Sequence, residues 1–296
     1  MTAGLPSRRR FLAGAAALGV KSPVRIIDTH IHFYDPSRPQ GVPWPPKTDS
    51  LLYRTVLPPE FKRMVQPLGV VGAVVVEASA WVEDNQWVLD LIADDPCLLG
   101  LVGNLQPGQE EFRQHLARFA KNRKFVGIRV NAAALHKGLQ SAAFLEDLKR
   151  LQDSDRELDI VGGVTLLADA AELAAKLPGL RVVIDHLPFD AMPDLEKLSG
   201  APNLYAKVSN VLRRGGSWSR ESLDRIWKVF GERRVIYGSN WPVSDRVAPY
   251  ADVLNVVREY CAGKSVQAQE NYFWRNALDA YRPIQPPSTT STAPLM

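Results

Sequence analysis

The segment Ile27-Asp28-Thr29-His30-Ile31-His32-Phe33 ends the first apolar run of the chain and places two histidines one residue apart. Side chains alternate between the two faces of a strand, so His30 and His32 point to the same side. Two neighbouring imidazoles that face an interior need a partner. A divalent metal ion is the usual one, and backbone groups with water are the alternative. The spacing predicts a shared site at the end of this strand.

Eight short apolar or β-branched runs are predicted to be strands covered on both faces, as in a parallel sheet. They are residues 24–29, 70–77, 98–105, 125–130, 158–165, 182–185, 204–208 and 235–237. Segments with helical spacing lie between them, at residues 84–94, 110–121, 144–151, 168–177, 222–230 and 253–261. This alternation predicts an α/β protein with one (β/α)8 TIM barrel. The rival fold is an open doubly wound sheet, which is disfavoured because no GxGxxG turn follows the first strand.

The two ends of the chain differ in composition from the predicted barrel domain, residues 23–282. Residues 1–22 contain Ser7-Arg8-Arg9-Arg10-Phe11-Leu12 before a small apolar run, which resembles a twin-arginine export signal. This leader predicts a periplasmic or secreted protein. A cytoplasmic location is the alternative, because no clear cleavage site precedes the first strand. Residues 283–296 are rich in Pro, Ser and Thr and are predicted to be a disordered tail.

The charge of the chain gives no support to a nucleic-acid partner. Lys and Arg number 36 against 32 Asp and Glu, but four basic residues of the leader supply the whole excess. A nucleic-acid face would need a clustered positive stripe. The apolar run of the leader is also too short to span a bilayer, which takes about 20 residues. The predicted partner is therefore a small-molecule substrate, and self-association into a homo-oligomer is left open.

Further candidate side chains follow the predicted strands or lie in the loops beside them. His186 follows an apolar run and is a candidate metal ligand, substrate contact or structural histidine. Glu77 also ends an apolar run, where a buried carboxylate needs either a metal ion or a basic side chain as its partner. Trp44 and Trp241 fall on the predicted active face, where aromatic walls suit ring-shaped substrates. Packing is the alternative role for each tryptophan.

These residues belong to an ordered series of motifs that resembles the amidohydrolase superfamily. After the segment 27–33, the matching pieces are Val42-Pro43-Trp44-Pro45, Gly127-Ile128-Arg129-Val130-Asn131, Val183-Ile184-Asp185-His186, Tyr205-Ala206-Lys207-Val208-Ser209 and Tyr237-Gly238-Ser239-Asn240-Trp241-Pro242. More narrowly, the series is similar to the branch of lactone hydrolases that includes fuconolactonase-like and 2-pyrone-4,6-dicarboxylate lactonase-like enzymes. The resemblance covers residues 24–282.

The resemblance implies a role for each matching position. His30, His32 and His186 would hold a divalent metal ion, expected to be zinc, or would contact the substrate carbonyl in members that work without metal. Arg129 and Lys207 would face substrate oxygens from the ends of the fourth and seventh strands. For both basic residues, a surface ion pair is the alternative.

The eighth strand departs from the family pattern. The resemblance implies an aspartate where this chain has Asn240. An amide cannot accept a proton at neutral pH and adds no negative charge to balance a metal ion. Three interpretations stay open. Another carboxylate, Glu77 or Asp245, serves as the base; an easily opened substrate reacts without a strong base; or the chain binds a ligand without hydrolysing it.

These patterns together predict a hydrolase that breaks the C–O ester bond of a small lactone or related carboxylic compound, with water activated at a histidine-lined site. The sequence also allows two alternative functions. One is a metal-dependent decarboxylase built on the same barrel, and the other is a barrel that binds a ligand without catalysis.

Overall fold

The computed structural model describes residues 24–286, so the predicted leader and most of the predicted tail lie outside the described residues. Eight parallel strands lie side by side in chain order around one sheet. They are β1 (Ile26–Ile31), β2 (Val70–Val76), β3 (Leu98–Gly103), β4 (Phe125–Asn131), β5 (Glu157–Val161), β6 (Val182–Leu187), β7 (Leu204–Val208) and β8 (Val235–Tyr237). The prediction of an α/β barrel is confirmed.

Helices follow most of the strands and cover the outside of the barrel. They are α1 (Pro58–Val65), α2 (Glu83–Ile92), α3 (Phe112–Phe119), α4 (Ala132–Gly138), α5 (Ala142–Asp153), α6 (Leu166–Lys176), α7 (Arg220–Phe230), α8 (Tyr250–Cys261), α9 (Val266–Glu270) and α10 (Asn276–Tyr281). The connection between β6 and β7 has only a short 3-10 turn, Leu195–Leu198, so the predicted alternation is incomplete there. None of the helices within residues 24–286 is long and apolar enough to cross a membrane.

The barrel closes between β8 and β1 through both backbone and side-chain hydrogen bonds. The amide of Asn240 donates to the carbonyl of His30 at 2.9 Å. The buried carboxylate of Asp28 accepts from the amides of His30 and Ser239, at 3.1 and 2.9 Å, and from the hydroxyl of Tyr250 at 2.9 Å. Asp28 therefore joins the first and last strands just below the point where His30 and Asn240 meet.

Apolar side chains from five strands and from α10 form a separate buried cluster. This cluster consists of Val74, Val76, Val102, Val126, Val183, Ile236, Ala280 and Tyr281. The last two residues come from α10, which was not predicted, so the end of this helix caps the lower opening of the barrel. Layers of branched side chains are the usual filling of such barrels. This cluster borders the polar residues described below, since Val76 contacts His32 and Tyr281 contacts Asp159.

Candidate active site

Three histidines converge at the carboxyl ends of β1 and β6. The ring centroid of His30 lies 4.9 Å from that of His32 and 4.4 Å from that of His186. His32 Nδ1 is 3.0 Å from the carbonyl oxygen of Val76, and His186 Nδ1 is 2.8 Å from Ser209 Oγ. These contacts fix the orientation of two of the rings, and the side chain of Asn240 adds a further hydrogen bond to His32.

Burial keeps all three imidazoles uncharged. It lowers the pKa of His32 to about 3, with the positive charge of Arg129 adding to the effect. It lowers the pKa of His186 to about 4, although the neighbouring Asp185 opposes the shift. The pKa of His30, which is completely buried, is also lowered well below its ordinary value by burial. At neutral pH the site therefore offers unprotonated ring nitrogens.

The chain turns sharply where β6, β7 and β8 end. His186, Asn210 and Asn240 have positive φ angles of 64°, 52° and 61°. This left-handed conformation is uncommon outside glycine, and it is often found at functional sites. Asn240 Nδ2 donates to Asn210 Oδ1 at 2.9 Å, so the two turns are also joined by their side chains.

An open cavity of about 400 Å³ lies above the histidines. This volume is in the range of small-molecule sites. The cavity is lined by six of the residues predicted for the site, namely His32, Trp44, Glu77, Arg129, His186 and Asn240. The ring of Trp44 lies 5.9 Å from that of His32 and forms an aromatic wall. His30 lies beneath this surface and is completely buried.

Glu77 and Asp245, the two carboxylates predicted as alternative bases, are each paired with an arginine. Arg129 Nε donates to Glu77 Oε1 at 2.8 Å, and Nη2 of the same guanidinium donates to the carbonyl of Glu77 at 2.8 Å. Asp245 Oδ2 lies 3.5 Å from Arg54 Nη2, and Asp245 is not among the cavity-lining residues. Glu77 therefore forms a salt bridge with Arg129, which is the alternative to its role as a base or ligand. Neither Glu77 nor Asp245 is an unpaired carboxylate beside the histidines.

Two of the predicted substrate contacts do not reach the cavity. Lys207 has no exposed surface, and its Nζ lies 2.5 Å from Asp159 and 2.7 Å from Asp185. Trp241 is 1% exposed and packs against Phe61, with ring centroids 5.5 Å apart. Lys207 is paired in register with Ile236 inside the barrel and not at its rim. The expected positions of both residues are thus corrected.

Asp185 belongs to the site although the sequence predicts no individual role for it. Its Oδ1 lies 3.4 Å from His30 Nδ1. Burial alone would raise the pKa of Asp185, but the ammonium group of Lys207 holds it well below its ordinary value. The sequence does contain a signal for Asp185, because an aspartate that ends an apolar strand needs a cation or hydrogen-bond donors as partners, as Glu77 does.

The donor atoms of this cluster fit a divalent metal ion. Ligand atoms of His30, Asp185 and His186 all lie within 4.8 Å of one another. Both ring nitrogens of His30 are buried without a close hydrogen bond within the described residues, and the buried Asp185 carboxylate is held by the Lys207 ammonium at 2.7 Å. Imidazole nitrogens and a carboxylate are ligands that suit zinc and similar ions. Asp185 thus joins two of the predicted ligands, while His32 lies beside them.

Comparisons with known proteins agree with this architecture. The model of the Amidohydrolase family matches residues 27–282. The L-fucono-1,5-lactonase of Burkholderia ambifaria is 25% identical over 284 residues, which cover 88% of this chain and 96% of that protein. Among solved structures, an amidohydrolase of Burkholderia multivorans with bound zinc is 22% identical, with a TM-score of 0.77. The match covers 88% of this chain and 99% of that protein's chain.

A second solved structure has the same fold. A putative 2-pyrone-4,6-dicarboxylic acid hydrolase of Pseudomonas putida is 20% identical, with a TM-score of 0.68. The match covers 88% of this chain and 98% of that one. At this identity the two structures show the shared barrel alone.

Proposed function

As a member of the amidohydrolase family, this chain is a hydrolase, and we propose that it opens the ring of a small lactone by adding water across its C–O ester bond. The hydroxyl of water would bond to the carbonyl carbon, the ring C–O bond would break, and the ring oxygen would take a proton. The observation that carries the proposal is the convergence of three uncharged imidazoles under an open cavity with one aromatic wall.

A divalent ion would be held by His30, Asp185 and His186. When bound, such an ion polarises a carbonyl and lowers the pKa of water. The residues around it would orient the reactants. His32 is held by the carbonyl of Val76 and by a hydrogen bond with the Asn240 side chain, so it would orient a water molecule together with that amide. Asn240 contributes an amide at the same wall but no base. This arrangement favours the interpretation that an easily opened substrate reacts without a strong base.

The charges of the cavity favour an uncharged substrate. Arg129 and Glu77 are the two charged residues among its lining residues, and their side chains lie 2.7 Å apart. The lining histidines are neutral for the reasons given above. Apart from the divalent ion, a substrate with two carboxylates would find one cation, Arg129, which is already paired with Glu77, so at least one carboxylate would lose hydration without compensation. A polyhydroxylated lactone could instead hydrogen-bond to the imidazoles and amide while its ring packs on Trp44.

The proposal predicts a clear substrate preference. With a divalent ion supplied, neutral aldonolactones such as L-fucono-1,5-lactone should be hydrolysed with kcat/KM at least about tenfold above that for 2-pyrone-4,6-dicarboxylate, because each unpaired buried charge costs about 1–3 kcal/mol or more. Proton release from the acid product measures both reactions. Release of carbon dioxide from an aromatic acid would instead identify a decarboxylase. Thermal stabilisation by lactones without turnover would identify a binding barrel.

The lowered histidine pKa values predict an unusual pH profile. An imidazole that must be unprotonated loses its role as pH falls through its pKa, which is about 4 for His186 and about 3 for His32. We expect kcat/KM for the lactone to be level between about pH 5.5 and 8, where an ordinary histidine of pKa about 6.5 would titrate. The loss should occur near pH 4. A midpoint near pH 6.5, with activity recovered after return to pH 7, would contradict this assignment.

A further inference from the structure

A column of charged side chains lies inside the barrel below the histidines. Asp185, Lys207 and Asp159 have no exposed surface. Lys207 Nζ lies between the two carboxylates, 2.5 Å from Asp159 Oδ2 and 2.7 Å from Asp185 Oδ1. Burying one charge is costly unless it is paired. Glu157 of β5 is also completely buried, and burial together with the neighbouring Asp159 raises its pKa well above the ordinary value. Lys207 is therefore the cation that balances the carboxylates of β5 and β6 at this depth.

The upper end of the column touches the active site. Asp185 Oδ1, the same oxygen that faces Lys207, lies 3.4 Å from Nδ1 of His30. Gly238 on the neighbouring turn leaves room for this packing. A Cβ at that position would lie 2.9 Å from His30 Cβ and 3.2 Å from Lys207 Cγ. His30 and Lys207 are thus side by side, with one carboxylate oxygen between their polar ends.

The lower end of the column is anchored to the last helix. The hydroxyl of Tyr281 donates to Asp159 Oδ1 at 2.9 Å, and Asp159 Oδ2 accepts a hydrogen bond from the ammonium of Lys207. Lys207 Nζ also lies 5.4 Å from the centre of the Tyr281 ring. Asp159 is therefore fixed from below, and it fixes Lys207 in turn.

We propose that Lys207, held by Asp159, is a positioning residue that keeps the Asp185 carboxylate beside Nδ1 of His30. A proton on Nδ1 would face this carboxylate, so the His30 tautomer with an unprotonated Nε2 is selected. Carboxylates play this part behind metal-binding and catalytic histidines. The effect on turnover rests on the proposed function, whereas the effect on the tautomer does not.

Two variants test the proposal. Lys207→Met removes the ammonium at similar length. Lys207→Met with Asp159→Asn removes one cation and one anion together, which keeps the net charge of the interior unchanged and leaves Arg129, 3.8 Å from Asp185 Oδ2, as the cation nearest to that carboxylate. The control is Lys124→Met. Lys124 is also buried, but its Nζ donates to the backbone carbonyls of Ile92 and Asp95, and Lys124 is not among the cavity-lining residues.

The tautomer of His30 is read directly by nitrogen NMR of the full-length protein labelled with ¹⁵N. The chain has five histidines, so the His30 signals are assigned by their loss in His30→Gln. We expect wild type and Lys124→Met to show Nδ1 protonated and Nε2 unprotonated. Both Lys207 variants should show a mixture of tautomers. In parallel, kcat for the lactone should fall at least about tenfold in both, with KM within about threefold because Lys207 does not line the cavity.

The outcomes separate this proposal from the proposed function. If wild-type His30 carries its proton on Nε2, or if both folded Lys207 variants keep the wild-type tautomer and kcat, the positioning role is refuted. If Lys207→Met does not fold, the His30 tautomer and kcat of the double variant Lys207→Met with Asp159→Asn decide whether the positioning role holds. If the wild type hydrolyses no lactone but the tautomer changes as expected, the proposed function fails and the positioning role stands.

Discussion

Replacing His30 with Gln is expected to lower kcat/KM for the lactone by about 10³-fold, because the variant loses one of the residues that would hold the divalent ion, whose stabilisation of the transition state is worth several kcal/mol. His30 is the ring on which the other parts of the site converge. It lies within ring contact of His32 and His186 and next to Asp185. Glutamine has a similar length, but it offers an amide in place of an aromatic nitrogen and fixes neither neighbour. Bound metal, measured on the purified variant, should fall with the activity.

The matched control is His136→Gln. His136 lies on α4 with its side chain 80% exposed and pairs with Asp169 at 3.2 Å. Its replacement should leave kcat/KM within about twofold, because surface substitutions rarely change more than about 0.5 kcal/mol. If the His30 variant is folded and keeps more than a tenth of the wild-type activity, the reaction does not depend on the histidine cluster and the proposed site is refuted.

The sequence carries enough information for the fold and for the surface of the site. Strands β7 and β8 have the predicted bounds, because each is a short apolar run between turn residues. The spacing of His30 and His32 requires only the alternation of a strand, and the rings are adjacent in the structure. The helix α4 was missed because Ala132–Gly138 is too short for an apolar stripe to be recognised.

The depth of a side chain inside the barrel cannot be predicted from apolar runs and strand alternation. Lys207 comes just before the end of its strand, and the sequence does not say whether its amine rises to the cavity or lies between carboxylates below. The answer depends on Asp159 and Asp185, which come from different strands, and on Tyr281 from the terminal helix. These contacts exist only once the barrel has closed, so no local pattern contains them.

Asn240→Asp is expected to raise kcat for the lactone by up to about 100-fold, which is the lower limit of the usual gain from a positioned base. In the wild type, the amide at this position donates to Asn210 Oδ1. A carboxylate would lose that contact, but Asn210 can donate instead when its amide rotates. The new carboxylate would line the cavity beside His32 and could take a proton from water. It would also add the negative charge that a divalent ion favours.

The gain must depend on pH with a defined sign. A carboxylate accepts a proton only when ionised, so the advantage of Asn240→Asp is present above the pKa of the new group and is lost as pH falls through it. The control is Asn210→Asp, because Asn210 is the other half of the amide pair but is not a cavity-lining residue. That variant should show no gain. If kcat for the lactone is unchanged in Asn240→Asp, a base at this wall of the cavity does not accelerate the reaction. The hydrogen bonds of the Asn240 amide would then be sufficient.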